Sequence, residues 1–174
     1  MTKWTKVLLG IALSVVAILG FVSWYKIHYS MAPARAFEVN TREAEPKVLI
    51  ATQGSAFKDS VVTGIGIIAH LKRQSTYVKV VDVTALPNVD EAEWNAIVVI
   101  HTWEMHKPQA DAKKFIERAG DLHKVIVMST SGAGTFRMDG IDAISTASVM
   151  TDVPARIDKI DRRLDAILNA RDVH

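Results

Sequence analysis

Residues 47–62 read KVLIATQGSAFKDSVV and contain the pattern on which the fold prediction depends. Residues 48–52 form a short and almost wholly apolar run, as in a strand that is buried on both faces. A polar turn follows, and from residue 58 to residue 73 apolar residues recur at helical spacing. A buried strand followed directly by an amphipathic helix is the unit from which parallel sheets are built, so this stretch predicts an α/β domain.

The same alternation continues to residue 168. Further strands are predicted at residues 78–83, 96–100, 125–129 and 143–147, and further helices at residues 108–119 and 154–168. The connections after the second and fourth strands are short for crossover helices. The pattern predicts a three-layer, doubly wound parallel sheet of about five strands, formed by residues 46–174.

Residues 7–25 precede this domain with VLLGIALSVVAILGFVSWY, a run of 19 residues without a charge. At 1.5 Å per residue, such a run is just long enough to cross a hydrocarbon core of about 30 Å. The alternative is a cleaved signal peptide. The bulky stretch WYKIHY that follows, in place of small residues, favours an uncleaved transmembrane anchor within residues 1–25. Residues 26–45 lack periodicity and are predicted to be a linker.

Composition excludes several classes of function. The chain has 174 residues and no cysteine, which removes disulfides, thiolate metal sites and cysteine nucleophiles. The formal net charge of +2 is too small to indicate a nucleic-acid partner. His101, Glu104 and His106 follow the third strand, but their spacing fits no helical ligand pattern, so no metal site is predicted.

Ligands of open parallel sheets bind at the carboxyl ends of the strands, where the strand order reverses. This rule selects the loop after the first strand, where hydroxyls, a glycine, a helix N-terminus and a lysine indicate an anion site, against the alternative of an ordinary polar turn. It also selects the loops after the third and fourth strands. In the former, the tryptophan would either stack on a planar ring or close the top of the core; in the latter, the small residues would either let a ligand approach the backbone or form a flexible loop. Asp142 and residues 145–148 are expected to form a polar rim beside them. The candidate binding residues are Thr52, Gln53, Gly54, Ser55, Lys58, Thr102, Trp103, Ser129, Thr130, Ser131, Gly132 and Gly134.

Four segments together make residues 46–169 resemble the flavodoxin-like family: KVLIATQGSAFKDSVV, AIVVIHTW, KVIVMSTSGAG and DAISTAS. The resemblance implies the strand order 2-1-3-4-5 and an FMN cofactor. It would place Thr52, Gly54, Ser55 and Lys58 at the phosphate, Trp103 against the flavin ring, and residues 129–134 along its other edge. Flavodoxins usually carry a T-x-T-G-N-T type of loop, whereas this chain has T-Q-G-S-A-F-K, with Phe57 in place of a small hydroxyl residue.

Three functions follow from these expectations. The first is an FMN-dependent oxidoreductase that exchanges electrons with a membrane partner, in which flavin supplies the chemistry and no side chain acts as a catalyst. The second is a flavin-free accessory or interaction subunit of a membrane complex, which the altered phosphate loop favours. The third is a hydrolase or transferase for another phosphorylated ligand, which needs a nucleophile or base with a shifted pKa.

The predicted location is a bacterial inner membrane. Residues 7–25 would contact the lipid bilayer in a single pass, with the soluble domain on the periplasmic side. Positive charges lie on both sides of the apolar run, Lys3 and Lys6 before it and Lys26, Arg35 and Arg42 after it, so the positive-inside rule does not decide the orientation. The periplasmic assignment follows the tendency of a short basic N-terminus before a single apolar segment to remain in the cytoplasm.

Overall fold

The computed structural model describes residues 2–29 and 31–171, without the side chains of residues 25–29 and 171. The last residues of the predicted domain, 172–174, lie outside this description. The chain divides into two compact units, residues 1–31 and residues 32–174.

The first unit is the helix α1, Lys3–Tyr29. Its segment Lys3–Trp24 is long and apolar enough to cross a membrane, and its large apolar side chains are exposed within the unit. A helix that is apolar all round would expose these side chains to water at a high cost in free energy. Such a helix is typical of a membrane span. The helix includes the whole of the predicted span, residues 7–25.

The second unit is an α/β domain with a mixed sheet. Its elements are β1 (Phe37–Val39), β2 (Lys47–Thr52), α2 (Ala56–Lys72), β3 (Tyr77–Asp82), β4 (Ala96–Glu104), β5 (Lys107–Pro108), α3 (Ala110–Arg118), β6 (Val125–Thr130), β7 (Ala143–Thr146) and α4 (Val153–Arg171). The main sheet has the order β1-β3-β2-β4-β6-β7, and β5 pairs with β4. Strands β3, β2, β4, β6 and β7 are parallel, whereas β1 and β5 run antiparallel to their neighbours.

Helices cover both faces of the sheet. On one face, α2 and α4 bury apolar side chains such as Val61 and Leu164 against Ile100 and its neighbours. On the other face, α3 and a 3-10 turn at Val83–Asn88 bury Phe115 and Leu86 against a second set of strand residues. Gly64 permits the close approach of α2 and α4, because a Cβ atom there would overlap the side chain of Ile157. The three layers leave the carboxyl ends of β2, β4, β6 and β7 at one edge of the domain.

In the part of the chain that the structure describes, the sheet has seven strands and is mixed, which corrects the prediction of about five strands, all parallel. Strand β1 has three residues and β5 has two, so neither carries enough alternation to be distinguished from a loop. The β4–β5 hairpin depends instead on a turn in which Met105 and His106 both have positive φ angles, of 50° and 61°. Short 3-10 turns, and no α-helix, connect β3 to β4.

Residues 32–45, which the sequence assigns to a linker, pack on the domain. The Ala34 amide donates a hydrogen bond to Asp82 Oδ2 at 2.6 Å, and β1 pairs with β3 from Phe37 to Val39. The Asn40 side-chain amide donates to the carbonyl oxygens of Arg73 and Thr76. This segment lacks periodicity because its contacts are made by backbone groups and single side chains.

Candidate functional site

The candidate site lies at the carboxyl ends of β2, β4 and β6, where α2 begins. Thr102 of β4 and Thr130 of β6 are paired in register, and their hydroxyl oxygens lie 2.9 Å apart. Each lies two residues after a core residue that faces α2 and α4, Ile100 or Met128, so the two hydroxyls lie on that same face of the sheet. Thr146 of β7 continues the row beside Thr130, and its hydroxyl is buried without a hydrogen-bond partner among the described residues.

Lys58 reaches this row of hydroxyls from the first turn of α2. Its side chain is only 1% exposed, and its Nζ donates a short hydrogen bond to Thr102 Oγ1. Burial lowers the pKa of Lys58 to about 8, although the nearby carboxylates of Glu104 and Asp59 oppose the shift. The sequence predicts that Lys58 contacts a ligand, whereas in the structure its ammonium group lies inside the domain.

The loop after β2 is closed by contacts within the protein. Gln53 Oε1 accepts a hydrogen bond of 2.7 Å from the Thr102 amide, which connects this loop to β4 across the point where the strand order reverses. The Gly54 amide donates to the carbonyl oxygen of Ala32 at 2.7 Å. Ser55 caps α2 by accepting a hydrogen bond from the Lys58 amide. Thr52, Gln53 and Gly54 are all buried, and each forms a hydrogen bond within the protein.

Residues 32–34 lie over this loop and are named the strap. Ala32 forms an antiparallel bridge with Gly54, and the Ala34 amide is bound by Asp82 at the end of β3. A Cβ atom at residue 54 would lie 2.5 Å from the Pro33 carbonyl oxygen. The strap was not predicted from the sequence, and its alanines and proline carry no motif that would reveal it.

Asp82 anchors the strap, and this role predicts a measurable loss of stability in Asp82→Asn. Asp82 Oδ2 accepts from Ala34, while Oδ1 accepts from the amide and hydroxyl of Thr84. An asparagine has one acceptor oxygen in place of two, so either Ala34 or Thr84 loses its partner. This loss should cost about 1–2 kcal/mol in the free energy of unfolding. Urea unfolding of the chain in detergent micelles measures this loss. The control is Asp90→Asn, because Asp90 caps the next 3-10 turn without touching the strap. An equal loss in both variants would contradict the role of Asp82.

The other face of the same edge carries a second polar row. His101, Ser129 and Ser145 are paired in register across β4, β6 and β7. Ser129 Oγ donates to the Phe136 carbonyl oxygen at 2.6 Å and lies 3.3 Å from Ser145 Oγ. His101 is fully buried, and burial lowers its pKa to about 4, so the ring is neutral at pH 7. Neither ring nitrogen has a hydrogen-bond partner among the described residues.

The predicted flavin-facing residues occupy three different environments. The Trp103 ring lies 5.4 Å from that of Phe136, and its indole nitrogen is buried without a partner in the described part of the chain. Ser131 accepts a hydrogen bond from the Gly134 amide and so closes its own loop. Gly134 has a φ of 70°, and a Cβ atom there would lie 2.7 Å from the Ala147 amide nitrogen. Gly132 is exposed, with open space around it.

The titratable groups of this edge with shifted pKa values are buried. Lys58 and His101 are the residues of this edge whose pKa values shift most, and both are buried away from solvent. The described residues contain no cluster of three or more histidine and acidic side chains that would hold a metal ion. Lys58 and Gln53 both form hydrogen bonds with Thr102, and these bonds connect the first turn of α2 and the loop after β2 to β4.

Comparison with known proteins adds no family. No protein-family model matches this chain, and no curated protein matches it.

Proposed function

We propose that this chain is a membrane-anchored, flavodoxin-like module that works without flavin, as an accessory or interaction subunit of a membrane complex. The order β3-β2-β4-β6-β7 supports the flavodoxin-like assignment, because these strands, numbered among themselves, follow the order 2-1-3-4-5. Fold likeness alone carries no activity, since one fold serves many functions.

One observation carries the flavin-free part of the proposal: the strap covers the loop after β2. An FMN phosphate at this loop would need free backbone amides and an accessible cation. The Gly54 amide is bound by Ala32, and the Lys58 ammonium is bound by Thr102 inside the domain. A phosphate would have to displace the strap and turn Lys58 outward, and each change breaks an existing hydrogen bond.

Exposed apolar side chains at the same edge support an interaction role. Met105, at the tip of the β4–β5 hairpin, is 77% exposed, and Val149 and Met150 precede α4 with about half of their surface exposed. Apolar groups on loops that rigid elements position are typical of protein contacts. The partner is proposed to be a membrane protein, because α1 would hold the domain at the membrane.

Membrane anchoring rests on α1. A helix with a 22-residue apolar segment is proposed to cross the bilayer once, with the domain on the periplasmic side of an inner membrane. A periplasmic domain favours the flavin-free proposal further, because FMN is made in the cytoplasm.

The test is a titration of the full chain, in detergent micelles, with FMN. The expected result is a colourless protein that leaves the fluorescence and visible spectrum of FMN unchanged at the highest protein concentration used. Flavin that copurifies with the chain, or quenching of FMN fluorescence when the chain is added, would overturn the flavin-free proposal.

Electron transfer through FMN is the second candidate, and Trp103 is the observation that favours it. Its ring lies beside Phe136 at the end of β4, the position at which the flavodoxin resemblance places the flavin ring. Its buried indole nitrogen donates to no described residue. If FMN binds, Trp103→Ala should weaken binding through lost stacking, and Lys58→Ala should weaken it through lost charge. The matched control is Trp94→Ala, which removes an indole that stacks on Tyr77 away from this edge.

A further inference from the structure

A cavity lies between α2 and the β1 edge of the sheet. Its volume is about 480 Å³, within the range of small-molecule sites. Its walls come from α2, β1, β2, β3 and the segment after the strap. The lining residues are Arg35, Phe37, Thr52, Asp59, Val62, Thr63 and Val80.

The cavity carries two opposite charges, Arg35 and Asp59, and Asp59 also interacts electrostatically with the neighbouring Lys58. Arg35 and Asp59 line the same space, and neither side chain forms a hydrogen bond or ion pair with another described residue. Both side chains are exposed, so they remain available to a ligand. Of the apolar lining residues, Phe37 is partly exposed, whereas Val62 and Val80 are buried in the core.

The backbone around Arg35 is held on both sides. The preceding residue, Ala34, donates its amide to Asp82, and Phe37 pairs with Val80 in the first register of β1. The Phe37 ring packs over Gly66 of α2, where a Cβ atom would lie 3.4 Å from its Cε2. A guanidinium on a fixed backbone loses less conformational freedom on binding than one on a mobile segment.

We infer that this cavity binds a small zwitterion with an apolar side chain, of the class of the free α-amino acids with aromatic or branched side chains. Arg35 binds the carboxylate, Asp59 binds the ammonium group, and the apolar side chain of the ligand contacts Phe37. Charge complementarity selects this class, because a ligand with one charge would leave the opposite protein charge without a partner. The inference is independent of the proposed function, since none of these residues belongs to the flavin question except Thr52.

The test compares three probes on the full chain in lipid nanodiscs by isothermal titration calorimetry, with empty nanodiscs subtracted. The probes are L-phenylalanine, 3-phenylpropionate, which lacks the ammonium group, and phenethylamine, which lacks the carboxylate. L-Phenylalanine is expected to bind about tenfold more tightly than either of the others.

Two variants assign the charges. Arg35→Gln should weaken binding of L-phenylalanine about tenfold and leave phenethylamine unchanged, and Asp59→Asn should weaken L-phenylalanine and leave 3-phenylpropionate unchanged. Arg42→Gln and Asp139→Asn are the matched controls, because these side chains carry the same charges outside the cavity. Equal affinities for the three probes, no binding above empty nanodiscs, or equal losses in the controls would each overturn the inference.

Discussion

Lys58→Met is expected to stabilise the folded domain by about 2 kcal/mol at pH 7, as replacement of a buried charge by an apolar side chain of similar length often does. Lys58 is 1% exposed, and its Nζ donates to Thr102 Oγ1. One neutral hydroxyl compensates poorly for the lost hydration of an ammonium group. Methionine fills the same space without a charge, and Thr102 keeps its contact with Thr130.

This advantage of methionine should disappear at high pH. The pKa of Lys58 falls from 10.5 in the unfolded chain to about 8 in the folded domain. Between these two values the unfolded chain binds the proton that the folded domain has lost, so the stability of the wild type rises with pH. The difference between the two pKa values corresponds to about 3 kcal/mol. The difference in the free energy of unfolding between variant and wild type should therefore be largest below pH 8. It should then shrink as the pH rises from 8 to 10.5.

Urea unfolding of both proteins in detergent micelles, followed by near-ultraviolet circular dichroism from pH 6 to about 11, measures this gap. The comparison cancels the titration of groups that both proteins share, such as Tyr77. Lys113→Met is the control, because Lys113 is exposed on α3 and its pair with Glu117 contributes little. A loss of stability in Lys58→Met at pH 7 would mean that the ammonium group stabilises the fold.

Gly54→Ala is expected to reduce the free energy of unfolding by about 3 kcal/mol, the upper range for an atom forced into a packed site. The added Cβ would lie 2.5 Å from the Pro33 carbonyl oxygen and 2.9 Å from that of Ala32. Both are backbone atoms, so no side-chain rotation relieves the overlap. The strap must move, which breaks the hydrogen bond from the Gly54 amide to Ala32.

Hydrogen exchange separates this mechanism from a general loss of stability. The amides of Gly54 and Ala34 should exchange much faster in Gly54→Ala than the amides of the β4 core, because the strap opens locally. Gly132→Ala is the matched control, since a Cβ atom at residue 132 meets nothing within 4 Å. Unchanged protection of the Ala34 amide would show that the strap does not depend on Gly54.

The sequence by itself determined the α/β class, the apolar helix and the main elements of the domain. The predicted helix at residues 154–168 lies within α4, and the predicted strand at residues 125–129 lies within β6. These elements bury continuous apolar runs or stripes, and burial of that kind leaves a periodic pattern in the sequence. The pattern also placed Lys58, Thr102 and Thr130 at one edge, because the carboxyl ends of parallel strands meet there.

Only the tertiary structure decided what those residues contact. The inward direction of Lys58, the contact of Gln53 with Thr102 and the cover of Gly54 by Ala32 each join residues that are at least 22 positions apart. Such contacts depend on single hydrogen bonds and on backbone carbonyls, which any residue carries, so they leave no period or composition to recognise. The strap and the two antiparallel strands escaped prediction for this reason, whereas the buried strands and amphipathic helices did not.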